Sequence, residues 1–256
     1  MHTALCGSMT VDPAMIVATA AAAFFVGLGK GGLALMGMLG VPIMSLVMSP
    51  IRGAAILLPV YVFSDIVAVW LYRRHFSVRN LRILIPAGCA GIALAWATAS
   101  SVPDRGVELI IGLIGLGFCF NTWRTRRHAP MEHTADLPRG LFWGTAMGFA
   151  SFVSHSGGAL FQVYVLPQRL PKLVYAGTNA LVFAAINVLK IGPYWALGQF
   201  TAPNLTESLY LLLPAFLGAQ AGIQLVRILP ERGYFAFVQI TLFAVSSELI
   251  FKAFSA

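Results

Sequence analysis

Five ionisable residues stand inside long apolar runs: Lys30, Asp65, His155, Lys190 and Glu248. A charged side chain in hydrocarbon is costly, so each is a candidate for function. Lys30 is set in Gly27-Leu-Gly-Lys-Gly-Gly32. This is not a phosphate loop, because the GxxxxGK[ST] spacing is absent. The glycines let a helix break within a membrane, and a half-helix starting there points free N–H groups and its positive dipole end at a ligand. With the lysine ammonium added, Lys30, Gly31 and Gly32 read as an anion site. The same residues have a plainer reading: Gly27-x-x-x-Gly31 is the spacing of close helix contact, with Lys30 reaching outward along its stem.

A second cluster, Ser154-His-Ser-Gly-Gly158, matches the first, with Ser156 at the position of Lys30. Here His155, Ser156, Gly157 and Gly158 would form a softer half of the site from hydroxyls, N–H groups and an imidazole. Imidazole changes charge near neutral pH, so His155 is also a candidate for proton coupling. A buried histidine satisfied by a carbonyl is the bland alternative. Asp65 is the other coupling candidate, or a partner for Lys30 or Lys190. Asn187 lies near its position in the duplicated segment, with Lys190 one helical turn on, and a purely structural ion pair is equally open. Glu248 reads as an interface or membrane-edge residue. Trp70, Trp96, Trp123, Trp143 and Trp195 fall near run ends as interfacial anchors.

The elements that must position these groups follow from composition. Of 256 residues 58% are hydrophobic and only 10% charged, with mean hydropathy +0.81. A soluble domain carries about 25% charged residues, so the expectation is an all-α polytopic membrane protein. At about 20 apolar residues per span there is room for roughly eight long segments. The net charge of +8 does not argue for nucleic acid, because Arg and Lys concentrate in short loops, where bilayer orientation explains them. Cys6, Cys89 and Cys119 have neither CxxC nor histidine spacing, so no disulfide framework, metal or cofactor is expected. The N-terminal apolar stretch lacks the basic flank of a signal peptide and is expected to be retained.

The chain reads as a duplication. Leu81–Ala87 (Leu-Arg-Ile-Leu-Ile-Pro-Ala) returns as Leu209–Ala215, Val102-Pro-Asp-Arg-Gly106 as Leu229-Pro-Glu-Arg-Gly233, and Gly31-Gly32 as Gly157-Gly158. The offsets are 128, 127 and 126. Two membrane repeats, 13–123 and 140–254, are joined by a basic linker, 124–139. Each holds a glycine-broken element, re-entrant or double, and three transmembrane helices. If the broken element crosses once, the loop cations split 9 to 6 between the two sides. If it turns back the split is 12 to 3, with Arg52, Arg105 and Lys252 opposite the rest. The steeper bias favours inverted halves with both termini outside.

These motifs resemble the TauE/SafE sulfite and sulfonate exporter family, in the branch whose first glycine loop holds a lysine. The likeness spans nearly the whole chain. It is carried by Gly27–Gly32 with Val41-Pro42, Ala55–Pro59 with Asp65, Ser151–Gly158, Tyr164–Leu170 and Asn187–Lys190. It implies a transporter of small organic or inorganic anions, multi-pass in a bacterial-type inner membrane. The expected function is thus a secondary anion transporter with a central site of Lys30, Gly31, Gly32, His155, Ser156, Gly157, Gly158, Asn187 and Lys190. Asp65 and His155 would couple it to protons. Its partners would be a small anion and the lipid bilayer, with a homodimer left open. The alternatives are a passive anion channel and an intramembrane serine hydrolase using Ser154, His155 or Ser156. The hydrolase lacks a GxSxG elbow.

Overall fold

The computed structural model describes residues 13–48, 50–98, 104–125, 134–196, 198 and 200–255. Cys6, Val102-Pro103 and the linker's Arg126 and Arg127 lie outside them. Among the described residues every regular element is helical. The first part holds α1 (Pro13–Lys30), a 3₁₀ turn (Ala34–Leu39), α2 (Gly40–Ser45), α3 (Pro50–Tyr72), α4 (Val78–Thr98) and α5 (Asp104–Thr125). Then come α6 (Leu137–Ser154), α7 (Gly157–Val165) with a 3₁₀ extension (Leu166–Gln168), α8 (Lys172–Ala196), α9 (Ala202–Ile228) and α10 (Glu231–Ser255). Six of these, α1, α3, α4, α8, α9 and α10, are long and apolar enough to cross a bilayer, and the protein is polytopic.

Helix caps and prolines fix the ends. Asp136 caps α6, accepting from the Arg139 N–H at 2.8 Å, with Pro138 in the first turn. Thr201 does the same for α9 through Asn204. Pro86 and Pro214, from the duplicated Pro-Ala motif, both lie inside long helices, α4 and α9. Such prolines are tolerated in membrane helices, where neighbouring groups satisfy the freed carbonyl. Trp70, Trp96 and Trp195 are exposed near helix ends.

The main packed pairs are α1 with α9, α6 with α4, α5 with α10, α3 with α8, α3 with α9 and α8 with α4. Exchanging the first five helices for the last five carries this set onto itself. The first two pairs are glycine seams. A methyl group added at Gly31 would come within 2.7 Å of Gly222 Cα, and one at Gly148 within 2.7 Å of Gly88 Cα. Gly27 faces the Ala215 carbonyl and Ala219. The close-contact reading of Gly27-x-x-x-Gly31 therefore describes one face of α1, while Lys30 occupies another. Gly27→Val should destabilise the fold by about 1–3 kcal/mol through overpacking. Gly117→Ala in α5, with no atom within 4 Å of its added methyl, should leave the melting temperature unchanged or higher. Thermal melts in detergent separate the two.

Two hairpins complete the bundle. α1 turns back through α2, so that Gly29 faces Gly37, Gly40 faces Val26, and Met44 meets Gly53 at the start of α3. That end of the bundle also holds the start of α9, tied on by the Arg52–Glu207 ion pair and by Ser208 Oγ donating to the Ile56 carbonyl. α6 turns back through α7, and the Tyr164 hydroxyl at its far end donates to the Asp136 carbonyl at the start of α6 (2.9 Å). Beyond it the Gln168 amide pairs with Asn80 at the start of α4, and the Ser77 N–H donates to Thr178 on α8. Lys172 Nζ donates to the Leu229 carbonyl at the end of α9. The α1–α2 hairpin thus leaves and rejoins one end of the bundle, and the α6–α7 hairpin the other.

Candidate functional site

The charged residues meet where the hairpins break. Lys30 is the last residue of α1, a place where the helix carbonyls favour a cation. Its ammonium lies 2.5 Å from Asp65 Oδ1, about two turns inside the end of α3. Asn187 Nδ2 donates to the other carboxylate oxygen at 2.7 Å. The same ammonium lies 5.4 Å from the Tyr61 ring centroid and 5.8 Å from that of Phe183, both within cation–π range. The Tyr61 hydroxyl donates to the Gly37 carbonyl at 2.6 Å, tying the returning arm of the first hairpin to α3.

From the second hairpin comes His155, the residue at which α6 stops. Its backbone is left-handed (φ 56°, ψ 17°), a conformation that reverses the chain and that costs a side-chain-bearing residue about 1–2 kcal/mol. The imidazole packs against Tyr61 and Tyr194, at 5.3 and 6.2 Å between ring centroids. Its Nε2 is buried and has no hydrogen-bond partner among the described residues. Because only the backbone strain separates them, His155→Gly should be more stable than His155→Ala by about 1 kcal/mol, as read from their melting curves.

These groups surround a cavity of about 40 Å³. Since a water needs roughly 10–15 Å³ by this measure, it holds a few waters or one small oxyanion. Lys30, His155, Gly158, Asn187 and Lys190 line it. Lys190 is fully buried, and no carboxylate of the described residues comes within 4 Å of its ammonium. Asp65 stands behind Lys30 and Asn187, outside the lining. Ser156, the N-cap of α7, and Gly157, packed on Met147 and Ser151, are also outside it.

The first glycine pair differs from its sequence expectation. Gly31 and Gly32 end a helix instead of starting one, so their N–H groups donate to the Gly27 and Gly29 carbonyls at 2.8 and 3.2 Å. What they present are carbonyls, which accept from the Tyr72 and Tyr234 hydroxyls, each at 2.7 Å. Gly32, at φ 119°, needs to be glycine for that turn. Only the second pair, Gly157-Gly158, opens a helix. The cavity also holds residues that the sequence reading passed over: Tyr61, Ser151, Asn179 and Phe183. The signal for two of them was present. Asn179 and Phe183 lie eight and four residues before Asn187, on the same face of α8.

Residues 16–249 match the family described as Sulfite exporter TauE/SafE. Nothing matches among the curated proteins or the solved structures. The match spans both hairpins, all three long helices that follow each, and every residue of the cavity, so the chain belongs to the sulfite exporter TauE/SafE family of membrane transporters.

Proposed function

We propose that the protein is a secondary transporter of small anions, with sulfite, sulfonates and related organic anions as its substrate class, and that it binds them in the cavity between the hairpins. The observation that carries this reading is the charge of the cavity. Two basic side chains, Lys30 and Lys190, line it and one carboxylate, Asp65, stands behind Lys30, a formal balance of +2 − 1 = +1. A buried cation without a counter-ion is costly, and an entering anion supplies the missing charge. Lys190 would hold it directly, with Lys30, Asn187 and His155 around it, the N–H groups of Gly157 and Gly158 in the first turn of α7 on the other side and the Ser156 hydroxyl beside them. Gly31 and Gly32 would shape the break. The place of Lys30 within Gly27–Gly32 is what would put the chain in the family branch with a lysine in its first glycine loop.

We read the two repeats, 13–123 and 140–254 with the linker 124–139 between them, as inverted halves that alternate access to this site. The exchange symmetry of the helix pairs supports this, as do hairpins that rejoin opposite ends of the bundle. The 12 to 3 split of loop cations then faces the cytoplasm of a bacterial-type inner membrane, with both termini outside. His155, with its unpartnered nitrogen, and Asp65 are the groups through which protons would be coupled.

The test is reconstitution into vesicles loaded with sulfite, together with thermal-shift titrations of the detergent-purified protein with sulfite and a panel of small sulfonates. Saturable binding and saturable, gradient-driven sulfite efflux are expected. Flux that grows linearly with concentration would identify a channel. Absence of any response to sulfur oxyanions would overturn the substrate class.

A further inference from the structure

We propose that Asn179 is the selectivity residue of the cavity, its side-chain amide hydrogen-bonding an oxygen of the bound anion. This rests on the anion-transport reading. α8 sends Asn179, Phe183, Asn187 and Lys190 into the cavity at spacings of four, four and three, one continuous helix face. Three of them have evident tasks. Asn187 is committed to Asp65, Phe183 lies against the Lys30 ammonium, and Lys190 supplies charge. Asn179 has no such commitment. It is 4% exposed, and its Oδ1 is buried without a hydrogen-bond partner. No hydrogen bond holds this side chain to a described residue, and a buried polar group left that way is costly. Oδ1 can only accept, so it is the Nδ2–H₂ end of the amide that would donate to an oxygen of the anion.

His155 lines the same cavity, and its Nε2 is also without a hydrogen-bond partner among the described residues. An amide Nδ2–H₂ and an imidazole N–H both donate. Together they would grip a ligand whose oxygens point in more than one direction, while Lys190 holds its charge. That division separates two kinds of anion. An oxyanion such as sulfite satisfies the charge and the polar wall. A soft anion of single charge and weak hydrogen bonding, such as thiocyanate, satisfies the charge alone. A site built to hydrogen-bond its ligand discriminates strongly against analogues that cannot return the bond.

The experiment measures binding of sulfite and of thiocyanate to the full-length protein and to Asn179→Leu and Asn179→Ser, each first shown to be folded by size-exclusion chromatography. Leucine removes the amide at similar volume, and serine is the second variant should leucine fail to fold. The expected result is a loss of at least tenfold in sulfite affinity with thiocyanate affinity changed less than twofold. Lys190→Met, in contrast, should weaken both. Equal loss of the two anions in the Asn179 variants, or no loss of either, would overturn the role of Asn179 alone. Failure of the unaltered protein to bind either anion would overturn the transport reading on which the inference rests.

Discussion

Lys30→Met is expected to melt far below the unaltered protein and to bind sulfite weakly, whereas Lys30→Met/Asp65→Asn should recover the melting temperature and still bind it more weakly than the unaltered protein. The reason lies in the geometry of the pair. Asp65 is buried, with Lys30 on one oxygen and Asn187 on the other. Removing the ammonium leaves a carboxylate whose only remaining partner is an amide, and breaking a buried pair in this way costs about 3–5 kcal/mol. Asparagine at 65 has the same shape and keeps a hydrogen-bonding group opposite Asn187, so the second change removes the stranded charge without opening a hole. Replacing both members of a buried pair is often neutral. Binding should not follow stability fully, because the double variant keeps the net charge of +1 but loses the Lys30 ammonium from the cavity wall. Thermal melts with and without sulfite decide the matter. A single variant as stable as its parent would show that the pair does not hold the break, and a double variant that binds sulfite as tightly as its parent would place the anion away from Lys30.

The parts of this site that could be read from sequence are those that hydrocarbon makes expensive. Lys30, Asp65, His155 and Lys190 are conspicuous because a charged or polar group in an apolar run needs a reason. The structure gathers them within one small volume, Asp65 one layer behind the cavity wall. Asn179, Phe183 and Tyr61 were not legible in the same way. An aromatic ring in a membrane helix is common, and a neutral amide is cheap enough to pass unnoticed. On α8 the spacing to Asn187 marks the face of Asn179 and Phe183 once Asn187 is chosen, whereas α3 is so nearly apolar all round that it carries too little periodic contrast to single out Tyr61.

The glycine pairs show a second limit. Gly31-Gly32 and Gly157-Gly158 stand 126 residues apart in the sequence pattern, and spacing alone treats them as equivalents. Yet one closes a helix and the other opens one, because the chain reverses just after the first pair and just before the second. A helix end offers carbonyls or N–H groups according to the direction of the chain. Which of the two a glycine pair marks is set by where the reversal falls. In the second hairpin that place is fixed by His155 in a left-handed conformation, a residue with no glycine to announce it.

Lys190→Met should move stability the opposite way from Lys30→Met. Its ammonium is fully buried and no carboxylate lies in ion-pair range among the described residues, so methionine removes a desolvated charge and strands nothing. The melting temperature of the ligand-free protein should hold or rise. Anion binding should fall steeply. An ammonium about 4 Å from an anion contributes ~4 kcal/mol at an effective dielectric constant near 20, and a third of that is already a tenfold change in affinity. Lys190→Arg keeps the charge but spreads it over a planar fork, and should retain more of the binding than methionine does. Titrating sulfite against the three proteins in detergent, with melts recorded in its absence, tests both halves of the argument. If Lys190→Met were to lose stability as Lys30→Met does, Lys190 would be holding a partner in the fold, and the cavity would not carry the unbalanced charge that makes an anion its ligand. If stability held while sulfite binding was lost, the two lysines would differ in task, Lys30 fixing the helix break against α3 besides lining the site and Lys190 holding the anion.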